Sequence, residues 1–434
     1  MKENSACVIH YGCQMNEYEA QTVSKMLRGA GYEMIQDPDQ AEVVILNTCT
    51  IRDQADRKIL NRLSSLVPQK RKDPQKKIGV MGCMVESQRE HLKQSLPQID
   101  FLISPLELPK ISQVLKDATA REYEEYSAYE YMGGPEKTPF RSYLPIQSGC
   151  NFNCTYCIVP QVKGRELNFS PETLMAKISS LADSGVLEVT LLGQTINSYR
   201  WEKTRFHDLL EMVAEKFPNT RFRFLTSHPI LFSEKILDAV AKFNNLLPFF
   251  HLPAQSGSNR ILSKMKRGYT REKYLELVCK IREQVPGATL STDMICGFPS
   301  ETDEDFEESL DLMKQVRFET SFLFYYSERK DTEAASMEES IPLEVRKSRL
   351  ARMIELQRGI QAQVYSQWIG SDFEVLAETE ARRGEGSLKG YTAGNLPVIF
   401  PASRDLIGSY QKVRITGSTG QSLLGHLETG KIAI

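Results

Sequence analysis

Cys150, Cys154 and Cys157 stand on one short stretch, Cys150-Asn151-Phe152-Asn153-Cys154-Thr155-Tyr156-Cys157. Thiolates are soft ligands suited to iron–sulfur sites, and three on one loop can hold three corners of a cubane [4Fe-4S] cluster. The fourth iron is then left without a protein ligand. Such an open iron can chelate the amino and carboxylate groups of a small molecule and pass it one electron. The competing reading is a zinc knuckle, but zinc takes four ligands and no His or Cys follows at ribbon spacing. The loop also follows a strand, at what would be the mouth of a β/α barrel, where active sites sit.

A second set lies upstream. Cys13, Cys49 and Cys83 each close an apolar strand-like run, SACVIHYG, EVVILNTC and KIGVMGC. In an open parallel sheet the carboxyl ends of the strands lie side by side at one edge, where ligands bind, so the three thiols should converge. Packing alone explains any single buried cysteine; three at equivalent positions point to a second cluster, again with an incomplete shell. Cys7, Cys279 and Cys296 have no such companions and are expected to be buried small apolar residues. Nine cysteines and an amino terminus with no signal-peptide apolar run suit reduced thiols in a cytoplasmic protein rather than disulfides.

Other polar groups follow expected barrel strands: Gly193-Gln194, Ser227-His228, Gln255-Ser256-Gly257-Ser258 and Gly297-Phe298-Pro299-Ser300-Glu301. Glycine lets backbone approach a ligand, and Gln, Ser and His supply directional hydrogen bonds, so together they can line a nucleoside-bearing cofactor. Each also has a plain alternative: turns for Gly and Ser, a helix-capping acid for Glu301.

Positioning these residues takes several elements. The chain has 434 residues, 41% hydrophobic and 25% charged, with a net charge of -2, which excludes disordered, collagen-like and disulfide-scaffold classes and leaves any nucleic-acid contact to local patches. No apolar run is long enough for a membrane span. The fold class expected is α/β. Continuous apolar strands alternating with helices over 1–120 predict a doubly wound parallel domain. Residues 121–141 read as a linker, and six β/α units over 142–369 as a partial (β/α)6 barrel closed by a charged helix from Leu343 to about Trp368. Short strands punctuated by Gly, Pro and Ser over 370–434 predict a small all-β barrel.

The cysteine loop resembles the CxxxCxxC loop of the radical S-adenosylmethionine (radical SAM) enzymes. Tyr11-Gly12-Cys13-Gln14-Met15-Asn16, Asn47-Thr48-Cys49, Gly82-Cys83 and Leu192-Gly193-Gln194-Thr195-Ile196-Asn197-Ser198-Tyr199 are similar to the methylthiotransferases among them. The first string resembles the branch that thiomethylates N6-isopentenyladenosine beside the anticodon of tRNA. The resemblance spans the chain and implies an amino-terminal methylthiotransferase domain, a radical SAM domain and a carboxyl-terminal TRAM domain. It implies that Cys150, Cys154 and Cys157 hold the cluster that binds S-adenosylmethionine; from their strand-end positions, Gly193, Gln194, Ser227, Gln255, Gly297 and Glu301 are expected around that cofactor. Cys13, Cys49 and Cys83 would hold an auxiliary [4Fe-4S] cluster carrying the incoming sulfur. A 5'-deoxyadenosyl radical would take hydrogen from C2 of the adenine, and a second S-adenosylmethionine would methylate the sulfur. The implied partners are the anticodon stem-loop of tRNA, a reducing electron carrier such as flavodoxin or ferredoxin, and a sulfur donor.

Two stretches depart from the family's commoner form. After the third cysteine the chain reads Ile158-Val159-Pro160-Gln161-Val162-Lys163-Gly164-Arg165, where a Tyr-Thr-Arg stretch is more usual, and Thr195-Ile196 follows Gln194 in place of Asn-Val. Sister readings keep the chemistry but act on threonylcarbamoyl adenosine in tRNA or on a ribosomal-protein aspartate. A further reading is a non-catalytic RNA-binding protein with structural metal. Basic residues that could track phosphate are Lys70-Arg71-Lys72, Lys76-Lys77, Arg346, Lys347, Arg349 and Arg352, and in the last domain Arg382, Arg383, Lys389, Lys412 and Arg414. Acidic neighbours accompany most of them, so ordinary solvated faces explain them equally well.

Overall fold

The computed structural model describes residues 2–49, 53–119, 140–382, 384 and 386–428. The first unit is a parallel sheet of strands β1 (Lys2–His10), β2 (Glu33–Met34), β3 (Ala41–Thr48), β4 (Lys77–Gly82) and β5 (Phe101–Ile103), ordered β2-β1-β3-β4-β5. Its helices are α1 (Gln14–Gly29), α2 (Asp53–Lys72), α3 (Cys83–Ser95) and α4 (Ile111–Thr119). Val23 and Leu27 of α1 join Ile111 and Leu115 of α4 over one face of the sheet. Ile59 and Leu63 of α2 join Met84 and Leu92 of α3 over the other. Both faces are thus covered, which is why Val43, Val44, Ile45 and Leu46 run apolar without alternation. The strand order reverses between β1 and β3, the switch point at which such sheets bind ligands. The two-residue edge strand β2, paired with Ser5 and Ala6, has no counterpart in the sequence reading.

The second unit has six barrel strands: Arg141–Pro145, Glu188–Leu192, Arg221–Phe224, Phe249–His251, Thr289–Cys296 and Thr320–Tyr325. The first three pair in parallel, as do the last three, and a parallel bridge from Phe222 to Leu246 joins the two sets. Outside them pack α6 (Pro171–Asp183), α7 (Phe206–Lys216), α8 (Glu234–Lys242), α10 (Arg271–Gln284), α11 (Asp303–Val316) and α12 (Leu343–Ser366). Two short helices, α5 (Val159–Lys163) and α9 (Asn259–Lys264), lie on the loops. The linker expected over 121–141 falls outside the described residues except at its end. There Phe140 is buried and Arg141 opens the first barrel strand, so those two residues belong to the barrel.

Five strands, Asp372–Glu380, Ser387–Thr392, Pro397–Pro401, Tyr410–Ser418 and Leu423–Leu427, close into a small barrel. It covers the amino-terminal ends of the large barrel's strands. Arg141 pairs with Glu378 and Glu188, Arg221 pairs with Glu374 and lies 3.9 Å above the Tyr410 ring, and Thr289 Oγ1 donates to Gly394 O at 2.5 Å. The opposite end, where Cys150 follows the first strand, is left for the site. Among the described residues no helix is long and apolar enough to cross a membrane.

Candidate metal centres

The first unit brings its three cysteines to the switch-point edge. Cys13 caps α1, Cys49 follows β3, and Cys83 opens α3 directly after β4. Helix amino termini favour negative charge, which suits thiolates at Cys13 and Cys83. The approach is close: a Cβ on Gly12, at φ +144, would lie 2.5 Å from Cys49 Cβ, and one on Gly82, at φ +101, 2.3 Å from Thr48 O. Only glycine lets these three chain segments meet. Two asparagines lock the edge: Asn16 Nδ2 donates to Asn47 Oδ1 at 3.0 Å and Thr48 O at 2.9 Å, while Asn47 Nδ2 returns to Asn16 O at 2.8 Å. Cys13 Sγ lies 3.1 Å from Asn16 Oδ1. Burial pushes the Cys83 thiol well above its ordinary range, Lys163 pulls it down, and Cys49 and Cys13 act on it as like charges, so the three thiols share one neighbourhood.

In the barrel, Cys150 and Cys154 are buried at the strand mouth. Cys150 Sγ is 3.4 Å from Thr195 Oγ1 and accepts from Phe152 N at 3.4 Å. Burial pushes Cys157 up to about 12, with Cys154 and Cys150 adding to the rise. Arg267, which the sequence reading passed over, reaches Cys154 Sγ and Tyr156 OH at 3.5 Å and donates to Pro253 O at 3.0 Å. It is 5% exposed, and among the described residues it has no carboxylate partner. A buried guanidinium is costly without an anion; thiolates on a cluster would supply one.

The two trios are linked through α5. This five-residue helix begins two residues after Cys157 and rises about 7.5 Å at the usual 1.5 Å per residue. Ile158 and Val162 at its two ends pack against Cys83. The units are therefore in direct contact between the two cysteine sets.

The other barrel residues divide. Ser227 Oγ, His228 Nε2 and Gln255 Oε1 are buried and have no hydrogen-bond partner among the described residues, as expected where a polar ligand completes a site. Thr226 and Gln255 sit at φ 64 and 70, strained conformations for residues with a side chain and typical of binding sites. Asn197 holds the backbone of His228 in both directions, at 2.8 and 2.9 Å, and the His228 ring stacks 4.4 Å from Phe152 on the cysteine loop. Gly193 backs onto Gln147, where a Cβ would come within 2.5 Å of Oε1, and Gln194 beside it is half-buried. By contrast Glu301 Oε2 accepts from Gly297 N at 2.6 Å and from Arg349 of α12 at 2.7 Å. The pair Gly297 and Glu301 thus braces α12, leaving Glu301 Oε1 buried without a partner among the described residues. Ser258 caps α9 and donates to Asp305, and Gly257 N donates to Ser309, so that turn anchors α11.

Cys7 and Cys296 are buried as expected, but Cys279 is exposed. It stands beside Val278 on α10, whose inward stripe is Tyr274, Val278 and Ile281, and one residue around a helix turns the side chain outward. Most basic candidates have partners of their own. Lys70 and Lys77 pair with Asp100, and Lys76 donates to the carbonyls of Pro38 and Ala41. On α12, Lys347, Arg349 and Arg352 pair with Glu344, Glu301 and Glu307, and Arg346 with Glu328. In the small barrel Lys412 and Arg414 share Asp372 and Lys389 lies over Tyr391, while Arg383 is outside the described residues.

Among the described residues no group of three or more His, Cys, Asp or Glu converges as a single ion requires. A cubane puts each thiolate on a different iron. Three thiols on one loop and three at neighbouring strand ends match the ligand type of such clusters, and the buried Arg267 beside Cys154 would face the negative charge of one.

A sequence model of the radical SAM superfamily matches residues 144–313, and one described as uncharacterized protein family UPF0004 matches residues 5–104. The radical S-adenosylmethionine methyltransferase TsrM from Kitasatospora setae shares the fold, with TM-score 0.56 at 13% identity over 89% of this chain and 77% of that one. Fold and matched residues define a radical SAM enzyme. The tRNA-2-methylthio-N(6)-dimethylallyladenosine synthase of Moorella thermoacetica is 38% identical over 435 residues, 98% of each chain. That of Chlorobium chlorochromatii is 39% identical over 434 residues, 97% of each. The chain belongs to this family of tRNA methylthiotransferases.

Proposed function

We propose that the protein converts N6-isopentenyladenosine beside the anticodon of tRNA, the N(6)-dimethylallyladenosine of its relatives' names, to its 2-methylthio derivative. Cys150, Cys154 and Cys157 hold a [4Fe-4S] cluster at which S-adenosylmethionine binds, and Cys13, Cys49 and Cys83 hold a second [4Fe-4S] cluster. When bound, these groups supply reductive cleavage of the sulfonium and the sulfur to be inserted. The chain's own part is placement. Thr195 and Arg267 fix the cysteine loop, Ser227, His228 and Gln255 offer unpartnered polar atoms to the cofactor, and Asn16 and Asn47 hold the second trio.

The observation that carries this reading is the direct packing of Ile158 and Val162, which follow Cys157, on Cys83. That packing sets the unit carrying one trio against the segment that follows the other, as a site fed by both groups would require. The named relatives favour isopentenyladenosine over threonylcarbamoyl adenosine or a ribosomal-protein aspartate. The anticodon stem-loop of tRNA, a low-potential electron carrier such as flavodoxin or ferredoxin, and a sulfur donor complete the proposed set of partners. The test is nucleoside analysis of tRNA from cells lacking the protein. Loss of methylthio-isopentenyladenosine with accumulation of isopentenyladenosine is expected; an unchanged methylthio level sinks the substrate assignment.

A further inference from the structure

A buried ion pair joins the first unit to the barrel beside the second trio. Lys163, the last residue of α5, places Nζ 2.9 Å from Glu19 Oε1 of α1, with side chains only 3% and 4% exposed. Glu19 Oε2 accepts from Asn47 Nδ2 at 3.3 Å, and Asn47 lies two residues before Cys49 and is locked to Asn16 beside Cys13. Val162, the chain neighbour of Lys163, packs on Cys83, and Glu19 is tied through Asn47 to the Asn16 that touches Cys13 Sγ.

A buried pair of this kind adds little net stability over apolar packing. Replacing a buried ion pair by apolar groups is often neutral or stabilising, so its interest here lies in the charges it sets beside the thiols. Three thiolates on a cluster make an anionic pocket, and adding an electron deepens that charge. A fixed cation beside it favours the reduced form and a fixed anion opposes it.

We propose that Lys163 and Glu19 form a charge couple that sets the reduction potential of the cluster held by Cys13, Cys49 and Cys83, Lys163 raising it and Glu19 lowering it. Both are positioning residues. The inference rests on the reading of those cysteines as an auxiliary cluster site.

The test uses the full chain with Cys150, Cys154 and Cys157 replaced by Ala, so that only the auxiliary cluster is loaded on anaerobic reconstitution. Its potential is read by electron paramagnetic resonance during dithionite titration. Lys163→Met should lower the potential by at least the amount that changes the reduced-to-oxidised ratio tenfold, about 59 mV for one electron. Glu19→Gln should raise it, and Lys163→Arg should hold the parent value. An interface that was merely loosened would move both single variants the same way or neither, and either result overturns the couple. The double variant Lys163→Met/Glu19→Gln buries no lone charge and serves if a single variant fails to fold. Its potential should lie above that of Lys163→Met and below that of Glu19→Gln, because the two charges act in opposite directions; a value outside those bounds overturns the proposal. A parent protein that takes up no iron refutes the cluster reading itself rather than the couple.

Discussion

Gly12→Ala puts the close approach of β1, β3 and the cysteines under direct strain. The new methyl group would lie 2.5 Å from Cys49 Cβ and 2.7 Å from Asn16 Oδ1, where carbon atoms ordinarily rest about 3.5–4.0 Å apart. Cys49 must therefore move by about 1 Å, and overpacking of that size costs about 1–3 kcal/mol. Holding a residue with a side chain at φ +144 costs about 1–3 kcal/mol more. The penalty of about 2–6 kcal/mol falls on the segments that carry Cys13 and Cys49. Gly29→Ala at the end of α1, where nothing lies within 4 Å, is the control and should be neutral or slightly stabilising. The assay pairs urea unfolding of the metal-free chain with iron counts after anaerobic reconstitution. Gly12→Ala should fall from about eight irons toward about four, with the cofactor-cleaving cluster retained, whereas the control keeps both. A Gly12→Ala protein with wild-type stability and a full iron count refutes the placement of the three cysteines.

Two further outcomes follow from the barrel mouth. Burial, aided by Arg267, holds the His228 imidazole at about 3, well below its ordinary 6.5. The unfolded chain therefore takes up a proton below pH 6.5 that the folded chain refuses, so this stabilisation is complete above pH 6.5 and is lost as pH falls toward 3. Between pH 6.5 and 4.5 the metal-free protein should lose about 2–3 kcal/mol relative to His228→Phe, measured by urea unfolding; parallel pH profiles contradict the neutral buried ring. Arg267→Lys keeps the charge but loses the planar fork that spans Cys154, Tyr156 and Pro253. It should slow 5'-deoxyadenosine formation at least tenfold, about 1.4 kcal/mol, without lowering the iron bound by the other trio; an unaltered rate shows that Arg267 does not position the loop.

Much of this arrangement was legible because periodicity and chemistry coincide in the sequence. The unbroken apolar runs ending at Cys49 and Cys83 mark strands covered on both faces, and strand ends in a parallel sheet share an edge, so the first trio could be placed before any coordinates. The six barrel strands and five small-barrel strands were likewise marked by alternation with helices or by turn residues. What escaped depends on partners distant in sequence. Lys163 reads as one more basic residue until α5 docks on α1, and Arg267 follows α9 with nothing local to tie it to Cys154. The bonds from Gly297 and Arg349 to Glu301 Oε2 are fixed by how α12 crosses the barrel. Strand β2 is too short to carry a period, and Cys279 lies just off the inward stripe of α10.

The division of labour between the two trios is tested most directly by comparing Cys154→Ala with Cys49→Ala. Each reconstituted protein is incubated with S-adenosylmethionine, dithionite and tRNA bearing isopentenyladenosine, and both the cofactor products and the nucleosides are quantified. Cys154→Ala should form no 5'-deoxyadenosine, whereas Cys49→Ala should still form it and yield no methylthio nucleoside. Methylthio product from Cys49→Ala would contradict the assignment of sulfur delivery to the trio on the first sheet.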